Sequence, residues 1–117
     1  IARRDNLKKE TISLDKAEQK IKEILELIQK DILKKAKNFR DNNSHNARDY
    51  DEFKNLVKNN SGFIYAHWDG TEKTEEKIKS ETKATIRCIP YDNKGKPGKC
   101  IVTGKPSKQK VVFSKAY

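Results

Sequence analysis

The segment GFIYAHWDGTEKTEEKIKSETKATIRCIP, residues 62–90, alternates between strand-forming and helix-forming composition. Residues 62–68 are rich in aromatic and β-branched side chains, which predicts a strand, and the Asp69-Gly70 pair that follows predicts a turn. Residues 71–82 predict a polar helix, because glutamates in its first turns interact favourably with the helix dipole. Residues 84–89 predict a second strand, so this segment supplies a strand–helix–strand unit.

The C-terminal flank of this unit is basic and contains two further short runs of strand-forming residues. Residues 91–98 predict a Gly/Pro/Lys loop, and residues 100–102 and 110–113 predict two strands. Tight basic turns at 95–99 and 104–108 would then lie at opposite ends of the first of these strands.

The N-terminal flank predicts a short helix. Asp49 and Glu52 have the spacing of a capping box, in which each side chain accepts a hydrogen bond from the other residue's backbone N–H. The helix that they begin would end near residue 59. Residues 41–48, which precede it, predict a loop or a poor strand.

A much longer helix is predicted upstream. Over residues 15–40 the apolar side chains recur at steps of three and four, and Asp15 with Glu18 forms a second potential capping box. Few domains of this size contain so long a helix without using it to brace a neighbour. A coiled-coil strand is the alternative, but the apolar positions do not keep a strict seven-residue step. Residues 1–12 predict a tail, in which the short polar stretch Arg3-Arg4-Asp5 has no local partner.

These elements together predict an α+β fold. After residue 40 their order is a weak strand, a helix, a strand, a helix and three strands, which predicts a small two-layer α/β sandwich of one sheet and two helices. We expect the boundary between this sandwich and the preceding region near Phe39-Arg40. The chain would then consist of residues 1–40 and residues 41–117.

The composition predicts a thin core and excludes several classes of protein. Of the 117 residues, 33% are hydrophobic and 38% are charged, against roughly 45–50% and 25% in typical globular domains. No apolar run approaches the ~20 residues of a membrane-spanning helix. Two cysteines cannot form a disulfide framework, which favours the cytoplasm. Because the chain lacks Met, we expect it to be part of a longer protein whose other parts complete the core.

The positive charge is concentrated toward the two ends of the chain. The net charge is +10, with +5 in residues 1–40, −1 in residues 41–90 and +6 in residues 91–117. A basic segment can contact nucleic acid or an acidic surface, and it can equally be a solvated face. Tyr91 is the one candidate for stacking on a base. The candidate RNA-binding residues are the lysines in and directly beside the two basic turns: Lys94, Lys96, Lys99, Lys105 and Lys108.

The residues do not predict a metal site. Structural zinc requires four thiolate or imidazole ligands, usually in closely spaced pairs, and the two cysteines and two histidines include no such pair. We therefore predict that Cys88 and Cys100 are buried, reduced and located on strands.

Neither a phosphate loop nor a catalytic centre is predicted within this chain. Residues 98–107 fail the P-loop pattern, because Gly104-Lys105 is followed by Pro106 where the pattern requires Ser or Thr. Cys88 has no sequence sign of a base beside it. His67 precedes Trp68, and a histidine beside an aromatic residue is more often packed and hydrogen-bonded than catalytic.

Several segments in a fixed order resemble one protein family. They are Arg3-Arg4-Asp5, AHWDG at 66–70, ETKATIRCIP at 81–90, GKCIVTGKPS at 98–107 and the closing VFSKAY at 112–117. In this order they are similar to the C-terminal region of prolyl-tRNA synthetases of the archaeal/eukaryotic-like type, which some bacteria also carry. The resemblance spans nearly the whole chain.

The resemblance implies an accessory, structural role within a larger enzyme. The parent would be a cytoplasmic, homodimeric proline–tRNA ligase, a class II aminoacyl-tRNA synthetase that activates proline with ATP and Mg²⁺ and transfers it to tRNA(Pro). Residues 1–40 would be the last strand and long helix of its anticodon-binding domain. Residues 41–117 would be an extra C-terminal domain, similar in fold to the C-terminal domain of translation initiation factor 3. The alternative function is a stand-alone basic RNA-binding module.

The resemblance also implies roles for single positions. Family members end in tyrosine and direct that end toward the catalytic domain, which implies a supporting role for the Tyr117 C-terminal carboxylate near the proline-activating site. From the residues alone, a tyrosine that finishes the sheet is the simpler interpretation. No other residue of this fragment would be catalytic.

The sequence departs from the family at its metal site. Some members hold zinc through four cysteines, whose positions fall here near Trp68 and at Thr74, Cys100 and Thr103. Only Cys100 keeps a thiol, and Cys88 is not one of the four. We therefore expect no zinc, with packing in place of the metal.

Overall fold

The computed structural model describes residues 1–59, 62–91 and 97–115 of the chain. These residues form two compact units, Ile1–Phe39 and Arg40–Tyr117. Three predicted site residues, Lys94, Lys96 and Tyr117, lie outside the described residues.

The first ten residues fold back on themselves. Ala2 and Lys9 form an antiparallel bridge, which two backbone hydrogen bonds of 2.8 and 2.9 Å extend on either side. The guanidinium of Arg3 binds the carboxylates of Asp5 at 2.6 Å and Asp31 at 2.7 Å. The prediction of an unpartnered tail over residues 1–12 is therefore wrong, because backbone pairing and this ion-pair cluster hold its first ten residues.

The long predicted helix is present as α1 (Ala17–Asn42), which a 3₁₀ turn at Leu14–Lys16 precedes. Its 26 residues extend about 39 Å. The predicted capping box of Asp15 and Glu18 is wrong: Asp15 lies inside the 3₁₀ turn, and the N-cap position belongs to Ser13, whose side chain makes no capping hydrogen bond.

Most apolar side chains of α1 remain exposed in this chain. Ile24 is its buried residue. The exposed ones are Ile21, Leu25, Leu27, Ile32, Leu33 and Phe39. The first unit therefore has very little core of its own, as the composition predicts.

The second unit contains a four-stranded sheet, a two-stranded ribbon and two helices. Its elements in chain order are β1 (Ser44–Asn46), α2 (Tyr50–Asn59), β2 (Phe63–His67), α3 (Glu72–Thr82), β3 (Ala84–Cys88), β4 (Gly98–Lys99), β5 (Pro106–Ser107) and β6 (Lys110–Lys115). The sheet order is β1-β2-β6-β3, with β1 parallel to β2 and β6 antiparallel to both of its neighbours. The α+β class with a long N-terminal helix and a small sheet is confirmed.

Along each strand the side chains alternate between the two faces of the sheet, and the core packs against one of these faces. In β2 and β6 the inward side chains pair across the ladder, Ile64 with Phe113 and Ala66 with Val111. The ring of Phe53 from α2 packs edge-on against Phe113, with 5.0 Å between the ring centroids. Ile78, the single large apolar residue of α3, is fully buried in the same cluster.

Residues 100–102 are not the strand that their composition predicts. They lie in a turn between β4 and β5, which pair antiparallel. The Cys100 N–H donates to the Lys105 carbonyl at 2.8 Å and the Gly104 N–H donates to the Cys100 carbonyl at 2.9 Å. Gly104 has a φ of 68°, which a glycine adopts readily and which lets the chain reverse here.

The two cysteines differ from the prediction. Cys100 is buried, but it lies in this turn and not on a strand. Cys88 is exposed, because it ends the edge strand β3 just after an irregularity in the register with β6. Both are free thiols.

Candidate functional site

Asp69 is the centre of a hydrogen-bond network between α3 and the turn formed by residues 100–105. Its Oδ1 accepts hydrogen bonds from the Thr71 hydroxyl at 2.9 Å and the Thr71 N–H at 3.2 Å. Its Oδ2 accepts from the hydroxyls of Thr74 at 3.0 Å and Thr103 at 2.9 Å. One carboxylate thus joins residues 34 positions apart in the sequence.

These hydrogen bonds stabilise the ionised form of Asp69. Partial burial by itself raises the pKa of a carboxyl group, but the hydrogen bonds from Thr71, Thr103 and Thr74 outweigh it and lower the pKa of Asp69 below its ordinary value. The carboxylate is therefore ionised at neutral pH, and its two oxygens already accept four hydrogen bonds.

The network includes two of the positions to which the sequence resemblance assigns the zinc ligands of some family members, Thr74 and Thr103. Thr74 and Thr103 share one oxygen of Asp69, and Cys100 is buried at the base of the same turn. Trp68 donates its indole N–H to the Thr71 carbonyl at 3.1 Å. Threonine hydroxyls are not zinc ligands and the nearby carboxylate is occupied, so this donor set does not fit zinc. No group of three or more His, Cys, Asp or Glu among the described residues could hold a metal ion.

His67 is packed against the β4–β5 ribbon. Its Nδ1 lies 3.2 Å from the hydroxyl oxygen of buried Ser107, and a Cβ placed on Gly98 would overlap its ring. Burial, together with the positive charge of Lys110 on the facing strand, lowers the pKa of His67. The interpretation of His67 as a packed histidine is confirmed by these contacts.

A groove of about 390 Å³ lies between α3 and the 100–105 turn. Its described lining residues include the Asp69 network, the side chain of Val102 and three lysines, Lys73, Lys77 and Lys105. Lys105 is a predicted RNA contact, whereas the sequence analysis missed the other two. The signal for them is the four-residue spacing of Lys73 and Lys77, which places both on one helix face.

The other described candidates for RNA contact lie outside this groove. Lys99 on β4 and Lys108 after β5 are exposed. Tyr91, the candidate stacking residue, is fully exposed. The structure therefore brings together one predicted lysine and two unpredicted ones.

A second groove, of about 310 Å³, lies among α2, α3 and the end of β6. Beside it the Tyr50 hydroxyl donates to the Glu81 carboxylate at 2.9 Å, and the Lys54 ammonium lies 4.8 Å from the centre of the Tyr50 ring. Burial, followed by this hydrogen bond, raises the pKa of Tyr50. These contacts tie α2 to α3, and we assign them a structural role.

None of the helices in the described ranges is both long enough and apolar enough to span a membrane.

Comparison with known proteins gives a consistent result. Residues 50–117 match the protein family described as "Prolyl-tRNA synthetase, C-terminal". A protein named proline–tRNA ligase from Porphyromonas gingivalis is 55% identical over 117 residues, covering 100% of this chain and 24% of the relative. Proteins of the same name from Cytophaga hutchinsonii and Bacteroides fragilis are 52% and 51% identical, with the same coverage. The chain spans about a quarter of the length of the curated relatives that it matches.

Proposed function

The chain belongs to the prolyl-tRNA synthetase C-terminal family, and from this membership we propose that it is the accessory C-terminal region of a proline–tRNA ligase. The observation that carries the proposal is the 55% identity to a protein of that name over every residue of this chain. The other three quarters of such a relative would hold the catalytic machinery.

The proposed parent activates proline with ATP and Mg²⁺ and transfers it to tRNA(Pro), as a homodimer in the cytoplasm. The name of the relatives supports the ligase reaction with proline and tRNA. The relatives are bacterial, and the archaeal/eukaryotic-like type is proposed from the order of the sequence motifs alone.

The two units have different proposed origins. Residues 1–40 would be the last strand and helix of the anticodon-binding domain, and the exposed apolar side chains of α1 support this because they require a covering partner. Residues 41–117 would be the extra domain, with a fold similar to the C-terminal domain of translation initiation factor 3. The alternation of strands and helices on a mixed four-stranded sheet supports that similarity.

We assign the extra domain a structural role without zinc. The Asp69 network would replace the metal by tying the start of α3 to the 100–105 turn. Elemental analysis of protein purified without chelator should find well under one zinc per chain, and a chelator should leave the melting temperature unchanged. A stoichiometric metal would contradict this role for Asp69.

Tyr117 is proposed to place its carboxylate near the proline-activating site in a supporting role. The support is the family resemblance of the closing residues, since this position lies outside the described residues. Deleting residues 116–117 from the full-length enzyme should lower proline-dependent ATP–pyrophosphate exchange while the circular dichroism spectrum stays unchanged. A normal exchange rate would show that the tyrosine does not act on proline activation.

The encoding gene provides the sharpest test of the proposed function. Several hundred codons should precede Ile1 in the same reading frame and should encode class II synthetase motifs. An open reading frame that starts immediately before Ile1 would contradict the proposal and favour the stand-alone RNA-binding module.

A further inference from the structure

The groove between α3 and the 100–105 turn has walls that are fixed relative to each other. The Asp69 carboxylate binds Thr74 on one wall and Thr103 on the other. The backbone of the turn is closed by the Cys100–Lys105 hydrogen bond of 2.8 Å. A groove with such preformed walls loses little conformational entropy when a ligand binds.

The free charges of this groove are all positive. Among the described lining residues Asp69 is the only acid, and its carboxylate is occupied by four hydrogen bonds. Lys73 and Lys105 make no ion pair with another described residue. The Lys77 ammonium lies 4.0 Å from Glu81 and 6.0 Å from the centre of the Tyr50 ring, so it is directed toward α2. The groove therefore offers two cations without an ion-pair partner, Lys73 on one wall and Lys105 on the other, to an anionic ligand.

The arrangement suits a polyanion better than a small anion. The lysines lie on both walls of the groove, and exposed Lys99 and Lys108 extend the positive surface along the β4–β5 ribbon. A single phosphate would contact only part of this surface, whereas a phosphodiester chain could follow it. Lysine ammonium groups contact phosphates as mobile point charges, which gives binding without base specificity.

We propose that this groove binds the sugar–phosphate backbone of RNA through Lys73 and Lys105. The proposal goes beyond an accessory structural role, which requires no RNA contact. The identification of the RNA as tRNA rests on the proposed function. The evidence for the groove and for its positive charge is independent of that function.

The test measures how the binding of a fluorescently labelled tRNA by the 117-residue chain depends on KCl concentration. The variant K73Q/K105Q removes one cation from each wall and should lower the magnitude of the slope of log K against log [KCl] by about 2. The matched control K34Q/K79Q removes the same net charge from α1 and from α3 outside the groove lining, and should leave the slope unchanged. The charge-preserving variant K73R/K105R should keep the wild-type slope.

Three results would overturn the proposal. Equal loss of slope in K73Q/K105Q and K34Q/K79Q would show that RNA binds the overall charge and not the groove. Competition by polyglutamate as strong as that by RNA of equal charge would assign the surface to an acidic protein. Inorganic phosphate that shifts the NMR amide signals of Lys73 and Thr103, with an unaltered RNA slope in K73Q/K105Q, would make the groove a small-anion site.

Failure of the groove proposal and failure of the proposed function are distinguishable. Absence of RNA binding by the wild-type chain would overturn the groove proposal, while upstream synthetase motifs in the gene would still support the accessory role. A gene without those motifs would overturn the accessory role, while a groove-dependent salt slope would still support RNA binding.

Discussion

Asp69 joins the start of α3 to the 100–105 turn through a single side chain. Its two oxygens accept four hydrogen bonds, from Thr71, Thr74 and Thr103. Hydrogen bonds to an ionised acceptor are stronger than those between neutral groups. Because the donors come from the start of α3 and from the 100–105 turn, this carboxylate helps to hold the turn in place, together with the hydrogen bond of 3.1 Å from the Ile101 N–H to the His67 carbonyl.

The substitution Asp69→Asn should therefore destabilise the protein although it changes few atoms. An amide is neutral and has only one acceptor oxygen, so the charge-assisted hydrogen bonds are lost, at a cost of about 1–3 kcal/mol in the free energy of unfolding. Urea denaturation measures the change. The matched control Asp51→Asn removes an exposed carboxylate paired with Lys54 and should change stability by less than about 0.5 kcal/mol. Equal effects of the two substitutions would contradict the role of Asp69.

Protonation of His67 should make the free energy of unfolding depend on pH. Burial and the charge of Lys110 lower its pKa in the folded state below the ordinary 6.5, so the unfolded state binds the proton first as the pH falls. The free energy of unfolding should therefore decrease as pH falls below about 6.5, until the folded-state pKa is reached, and this group should contribute no slope above 6.5.

Denaturation curves on both sides of pH 6.5 measure this dependence. His67→Gln should flatten the slope between the folded-state pKa and 6.5, whereas His45→Gln, at the other histidine, should leave it in place. An unchanged slope in the His67 variant would show that the imidazole does not control it.

The start of α2 shows how far local sequence determines an element. Glu52 donates its N–H to the Asp49 carboxylate at 2.9 Å, as the capping box predicts. The Glu52 carboxylate accepts from the Arg48 N–H at 2.8 Å, one residue earlier than the motif specifies. This cap was predictable because all of its partners lie within five consecutive residues.

Asp49→Ala should lower the free energy of unfolding by about 0.5–2 kcal/mol through loss of the cap. Asp51→Ala is the matched control, because it removes a similar charge from the first turn of α2 without removing a capping hydrogen bond. The difference between the two variants in urea denaturation isolates the cap from the helix dipole. If both variants lose the same stability, the hydrogen bond contributes nothing.

Elements that depend on distant contacts were among those that sequence patterns mispredicted. The Cys100-Ile101-Val102 run has strand-forming composition, yet Gly104 and the anchor at Asp69 bend it into a turn. Prediction of the candidate site was limited in the same way. Lys105 was predicted because the local sequence indicates the basic turn in which it lies. Lys73 and Lys77 join it only because the turn packs beside α3, which no local pattern indicates.

The molecule as a whole divides into a unit with little core and a unit with a complete one. Every residue of the main hydrophobic cluster, from Ala47 to Phe113, belongs to the second unit. In the part of the chain that the structure describes, each buried side-chain nitrogen or oxygen atom of a residue that is not exposed has a hydrogen-bond partner. The second unit therefore has the features of an independently stable domain.

Residues 40–117 expressed alone should fold. We expect a single cooperative urea transition and slow hydrogen exchange for the amides of β2 and β6, since the core cluster is retained entire. The matched comparison is the 117-residue chain under the same conditions. A broad transition with strong binding of a hydrophobic dye would show that the first unit is needed for packing.

The central position of β6 has a consequence for synthesis on the ribosome. Ile64 pairs with Phe113 and Ile86 also pairs with Phe113, so β2 and β3 are joined only through a strand that is translated after both. Until Lys110–Lys115 has left the exit tunnel, the nascent chain presents two unpaired strand edges and an uncovered Phe53 ring. Long-range pairing of this kind slows folding and exposes surfaces that aggregate, so the nascent domain depends on late closure of its sheet.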